Sequence, residues 1–83
     1  MKLYGIEFRR RGKEPFCTAL GETPFVSAVS QANTALNHVE YPEGVFLIEA
    51  DFETKTFRQW DYMGIRREYA EWQRNRGEWK TQT

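Results

Sequence analysis

One cysteine, one histidine and no apolar run of 18 residues occur in these 83 residues. The lone Cys17 closes no intramolecular disulfide, as expected of a chain in a reducing cytoplasm. His38 has no second histidine or cysteine with which to hold zinc. Without a long apolar run no helix spans a membrane, and Met1 to Glu7 alternate with an early acid where a signal peptide would carry an apolar core. No glycine-rich phosphate loop and no nucleophile elbow occur. Chemistry would fall to carboxylates alone, so a non-enzymatic function is expected, with no catalytic, cofactor or metal residues assigned. An excess of one charge is absent too: 12 Lys and Arg face 12 Asp and Glu, which weighs against tight nonspecific DNA binding.

What is present is aromatic side chains, 16% of the chain. Rings bury much area per residue and let a short chain build a core. The length allows a single domain over 1–83, with fraying expected at about 80–83. Charge is segregated along it. Residues 1–20 carry +3, residues 21–62 carry −5 and residues 63–83 carry +2, a pattern that can steer a charged partner at zero net charge.

Leu3 to Arg9 alternates in polarity, with Tyr4, Ile6 and Phe8 on one side, and reads as a half-buried strand. Arg10 to Pro15 breaks it at Gly12 and Pro15. Phe16 to Leu20 alternates again, completing a hairpin with a basic tip; Gly21 is the expected bulge, from which the strand could extend toward Val26. Ala28, Val29, Ala32, Ala35, Leu36 and Val39 form the apolar stripe of a helix over 28–39. Ser27 is its expected N-cap, with Thr23–Pro24 as the rival start. Val45 to Phe52 is the most apolar stretch, a central strand with Phe46, Ile48, Ala50 and Phe52 on one face and Val45, Leu47, Glu49 and Asp51 on the other. A turn at Glu53 to Lys55 leads to a fourth strand, Thr56 to Trp60. Asp61 then caps a helix whose stripe is Tyr62, Ile65, Tyr69, Trp72 and Trp79, with Arg67–Glu71 and Arg74–Glu78 at ion-pair spacing. The expected fold is α+β in the order ββαββα: a four-stranded antiparallel sheet with two helices, one face left wet unless a partner covers it.

Three constellations are candidates for binding. Arg9, Arg10, Arg11 and Lys13 make the hairpin tip either a phosphate or acidic-partner contact or a solvated turn that guards an edge. Arg66, Arg67 and Arg74 with Trp79 combine residue types that dominate binding hot spots, while Tyr69 and Trp72 read as core. Glu49, Asp51 and Glu53 belong to an acidic hairpin. Glu49 and Asp51 stand about 7 Å apart by strand rise, either as paired carboxylates, as a grip for a basic protein, or as the solvated outer face of the sheet. His38 reads as a helix C-terminal residue facing the dipole, and Cys17 as a buried or half-buried filler.

The strand-to-helix entry Phe25-Val26-Ser27-Ala28-Val29-Ser30-Gln31-Ala32, followed by Gly44-Val45-Phe46-Leu47-Ile48-Glu49 and an aromatic return strand, resembles the build of small phage-encoded inhibitors of the anti-CRISPR type. The likeness covers roughly residues 16–60 and is one of size and arrangement, without a shared motif. It implies a cytoplasmic protein that binds a Cas effector subunit and blocks DNA binding or nuclease recruitment, using either the acidic face or the arginines. A homodimer through an exposed face or edge is a further option. The alternative is a small nucleic-acid-binding accessory protein using the basic hairpin and the last helix, although the aromatic signature of RNA-recognition modules is absent.

Overall fold

The computed structural model describes the backbone of residues 1–82 and the side chains of residues 1–75. The elements follow the expected order: β1 (Lys2–Phe8), β2 (Phe16–Gly21), α1 (Phe25–Leu36), a 3₁₀ turn (Pro42–Gly44), β3 (Val45–Asp51), β4 (Thr56–Trp60) and α2 (Tyr62–Gln82). The strands form one antiparallel sheet in the order β2-β1-β3-β4. Each hairpin is a direct consequence of a short loop, and α1 carries the chain across from the β2 edge to the far side of β1.

Cross-strand register decides which side chains share a face. Tyr4 stands opposite Glu49, which stands opposite Arg58; Ile6 stands opposite Leu47, which stands opposite Trp60. This face carries both helices. Its core joins Tyr4, Ile6, Val45 and Leu47 to Ala28, Val29, Ala32 and Leu36 of α1 and Ile65 of α2. The alanines bring the α1 backbone close to the sheet and to α2. Phe25 fills the gap beneath Trp60, with ring centroids 5.1 Å apart.

Several local expectations are corrected. The helix begins at Phe25 with Pro24 as its N-cap, one residue from the rival start at Thr23–Pro24 and not with Ser27 as cap, since the Ser27 N–H already donates to the Pro24 carbonyl. It stops at Leu36, although Val39 still packs on the core. The second strand ends at Gly21, where φ is +75°. The pairing slips there by one residue, the expected bulge, and a backbone in this region favours glycine. Arg67 and Glu71 form no ion pair. The cap of α2 is as expected: Asp61 Oδ1 accepts from the Gly64 N–H at 2.8 Å.

One tight junction ties the basic hairpin to the rest of the fold. The Arg9 N–H donates to the Gly44 carbonyl at 2.7 Å, and a Cβ at Gly44 would fall well inside 3.0 Å of the Arg9 carbonyl oxygen. That overlap is with backbone, so no rotamer change relieves it. Gly44→Ala is expected to lower stability by about 1–3 kcal/mol. Amide exchange should accelerate at Arg9 first, because its hydrogen bond is the one pushed open. Unchanged protection at Arg9 would contradict this account.

Candidate binding surfaces

The sheet face away from the helices is the first candidate. Leu3, Phe46, Ile48, Ala50 and Phe57 alternate with the core residues, so strand geometry sends them to the opposite side. None of them belongs to the core cluster. Phe57 is 65% exposed and sits on β4, an edge strand; Leu3, Phe46, Ile48 and Ala50 are half-buried by one another. Cys17 lies here as well and is exposed, a correction to its expected role as a filler. Its sulfur would be 3.0 Å from a Cβ at Gly5, so the missing side chain at Gly5 makes its room. The polar border of the face is Glu7, Arg9 and Gln59. Arg9 pairs with Glu7, donates to Gln59 Oε1 at 3.4 Å and lies 4.0 Å over the Phe46 ring.

The second candidate is an open groove of about 1190 Å³ at the hairpin-tip end of the sheet. Arg9, Arg10, Arg11 and Lys13 line it together with Phe16 and Tyr41. Glu40 and Glu43 line it too. Phe16 stacks on Phe8 at 5.1 Å with the rings 17° apart, and Tyr41 is 67% exposed. Among the described residues Arg10, Arg11 and Lys13 form no ion pair. Phe46 and Arg9 border both the groove and the open face, so the two surfaces adjoin.

The acidic set divides. Glu49 is not on the outer face of the sheet but on the helix-covered one, 4% exposed. Tyr4 Oη donates to Glu49 Oε2 at 2.8 Å, and Arg58 donates from Nε to Oε1 at 3.1 Å and from Nη2 to Oε2 at 3.4 Å. Burial acts to raise the Glu49 pKa, but the hydrogen bonds from Tyr4 and Arg58 and the nearby positive charges outweigh it and hold the carboxyl below its usual range. Burial, then the hydrogen bond to Glu49, push the Tyr4 phenol up to about 12. Asp51 shares that face, and its Oδ1 accepts from the Glu53 and Thr54 N–H groups at 3.1 and 3.4 Å, closing the β3–β4 turn. Partial burial opposes ionisation of Asp51, and those backbone hydrogen bonds prevail to lower its pKa. Glu53 is exposed and lies 2.9 Å from the amino-terminal nitrogen, whose pKa its hydrogen bond raises. Each of these three carboxylates therefore has an internal partner, and Glu49 and Asp51 do not form a paired acid on an open surface.

Arg66, Arg67 and Arg74 are exposed on α2 and line neither surface. Tyr69 and Trp72 are half-buried, with ring centroids 5.6 Å apart, and Tyr69 packs on the core. Trp79 lies outside the described side chains. His38 follows the end of α1, where its N–H donates to the Ala35 carbonyl. Sequence reasoning assembled the tip cations but missed Phe16, Tyr41 and Glu43 as their neighbours. It also missed the apolar outer face of Leu3, Ile48 and Phe57, for which the all-apolar alternation of Val45 to Ile48 was the available signal. Among the described residues no group of three or more His, Cys, Asp or Glu is placed to hold a metal ion, and no helix is long and apolar enough to cross a membrane.

Compared with known protein families, curated proteins and solved structures, the chain matches none.

Proposed function

We propose that this chain is a non-enzymatic protein-binding inhibitor of the anti-CRISPR type, which docks on a Cas effector subunit and blocks DNA binding or nuclease recruitment. The observation that carries the binding reading is the open sheet face. A soluble sheet covered on one side ordinarily turns polar residues outward. Here Leu3, Phe46, Ile48, Ala50 and Phe57 lie outward instead, with charge only at the border. An apolar centre with a polar rim is the anatomy of a protein–protein contact. The inhibitor form of the reading rests on the chain's size and build.

Phe57 is the expected hot spot: a large ring at the exposed edge of the patch that supports no core residue. Tagged protein is passed through lysate of a CRISPR-bearing bacterium, and any captured complex is assayed for target-DNA binding. The expected result is recovery of a Cas subunit, loss of DNA binding by that complex, and a drop of more than tenfold in recovery with Phe57→Glu. Recovery of no Cas subunit, or equal recovery by the variant, would overturn the proposal.

A further inference from the structure

The groove at the hairpin tip carries chemistry that an apolar docking face does not use. We propose that it binds single-stranded nucleic acid, and this inference stands apart from the docking reading of the sheet face.

A nucleotide offers three kinds of group: a charged phosphate, a flat π face and base-edge amino groups. The groove holds a counterpart to each. Arg10, Arg11 and Lys13 line the groove and form no ion pair among the described residues. Phe16 and Tyr41 are large rings more than half exposed, which suits them to base stacking. Glu40 and Glu43 can accept hydrogen bonds from base amino groups, the contact by which carboxylates read cytosine N4. A bare polyanion such as an acidic peptide would find the same cations and the same repulsion from the two glutamates, but would gain nothing from the rings and has no amino groups to offer the carboxylates. Arg66, Arg67 and Arg74 on α2 do not line it, so they are not among the groups that hold the ligand.

The probe is a fluorescein-labelled 12-nucleotide oligodeoxycytidylate, with a mixed-sequence oligonucleotide and polyglutamate as competitors, read by anisotropy. Three cations on a single strand imply a salt slope near −2, or about 20-fold weaker binding at 200 mM than at 50 mM salt. The double variant Arg11→Glu/Lys13→Glu is expected to bind at least tenfold more weakly. Tyr41→Ala should lose about fivefold or more through the missing stack. Arg66→Glu/Arg67→Glu and Phe57→Glu should bind as the unaltered protein does, and the latter keeps this test separate from that of the docking face. All these positions are exposed, and circular dichroism of each variant checks the fold. The inference is overturned by no binding at 50 mM salt, by affinity that follows the α2 pair, or by polyglutamate competing equally while Tyr41→Ala has no effect.

Discussion

Ile65→Ala is expected to lower the stability of the domain by about 2–5 kcal/mol. Ile65 is fully buried, with 0% of its surface exposed, and is the one residue of α2 in the innermost core among the described side chains. α2 packs on both α1 and β3, and Ile65 joins the core residues of those elements. Removing its three outer carbons forfeits their transfer from water and leaves a void that the short, alanine-rich α1 cannot shift to fill. A chain of this length holds roughly 4–12 kcal/mol in total, at 0.05–0.15 kcal/mol per residue. The variant should therefore populate unfolded molecules visibly at room temperature, and α2 should lose amide protection together with the sheet. Urea titration followed by tryptophan fluorescence measures the change. Met63→Ala, at an exposed position two residues earlier, serves as the comparison and should stay within about 0.5 kcal/mol. Equal effects at the two positions would mean that Ile65 does not anchor the helix.

The second large effect belongs to the Tyr4–Glu49–Arg58 chain. Tyr4→Phe removes one hydrogen bond to a buried carboxylate and should cost about 1–3 kcal/mol at neutral pH. Glu49→Ala should cost more, because it strands the Tyr4 hydroxyl and removes the carboxylate that Arg58 pairs with. The pH dependence separates these roles. Glu49 and Asp51 have folded pKa values held below the ordinary carboxylate range. Their contribution is complete above about pH 4–4.5 and is lost as pH falls through the folded values. Tyr4 is shifted the other way, to about 12. Its contribution is complete below about pH 10 and is lost as pH rises toward the folded value. Urea midpoints for the unaltered chain should thus form a plateau over about pH 5–8 and decline at both ends. For Tyr4→Phe the part of the alkaline decline that belongs to the phenol disappears, and the deficit seen at pH 7 shrinks in acid, where a protonated Glu49 no longer needs the phenol. A deficit that is constant from pH 3 to 7 would show that the loss is one of packing alone.

Glu49 also explains what was legible in the residues and what was not. The alternation of Tyr4, Ile6 and Phe8, the apolar stripe of α1 and the Asp61 cap each depend on neighbours within a few positions, and each element exists as those neighbours predict, with the bounds of α1 shifted by three residues. The third strand is apolar on both sides: Val45 and Leu47 on one, Phe46, Ile48 and Ala50 on the other. Period alone assigns residues to two faces but does not say which face the helices cover. A glutamate and an aspartate on the Val45–Leu47 side made that side look like the wet one. Pairing with β1 reverses it, because the register sets Leu47 beside Ile6 and Glu49 beside Tyr4, and the phenol and the guanidinium supply the hydrogen bonds that let a carboxylate be buried.

The candidate surfaces divide along the same line. The run of cations at 9–13 is contiguous, so its position at a hairpin tip followed from local sequence. Its groove is made with Tyr41 and Glu43, some thirty residues away, and the two segments are joined by the hydrogen bond from the Arg9 N–H to the Gly44 carbonyl. Local propensity and polarity determined the order ββαββα, the hairpins and the two amphipathic helices, since those are properties of a few adjacent side chains. Only tertiary pairing decided that the acidic strand face is internal, that the apolar one is open, and that the basic tip has aromatic walls, because each of these depends on register between strands distant in the chain.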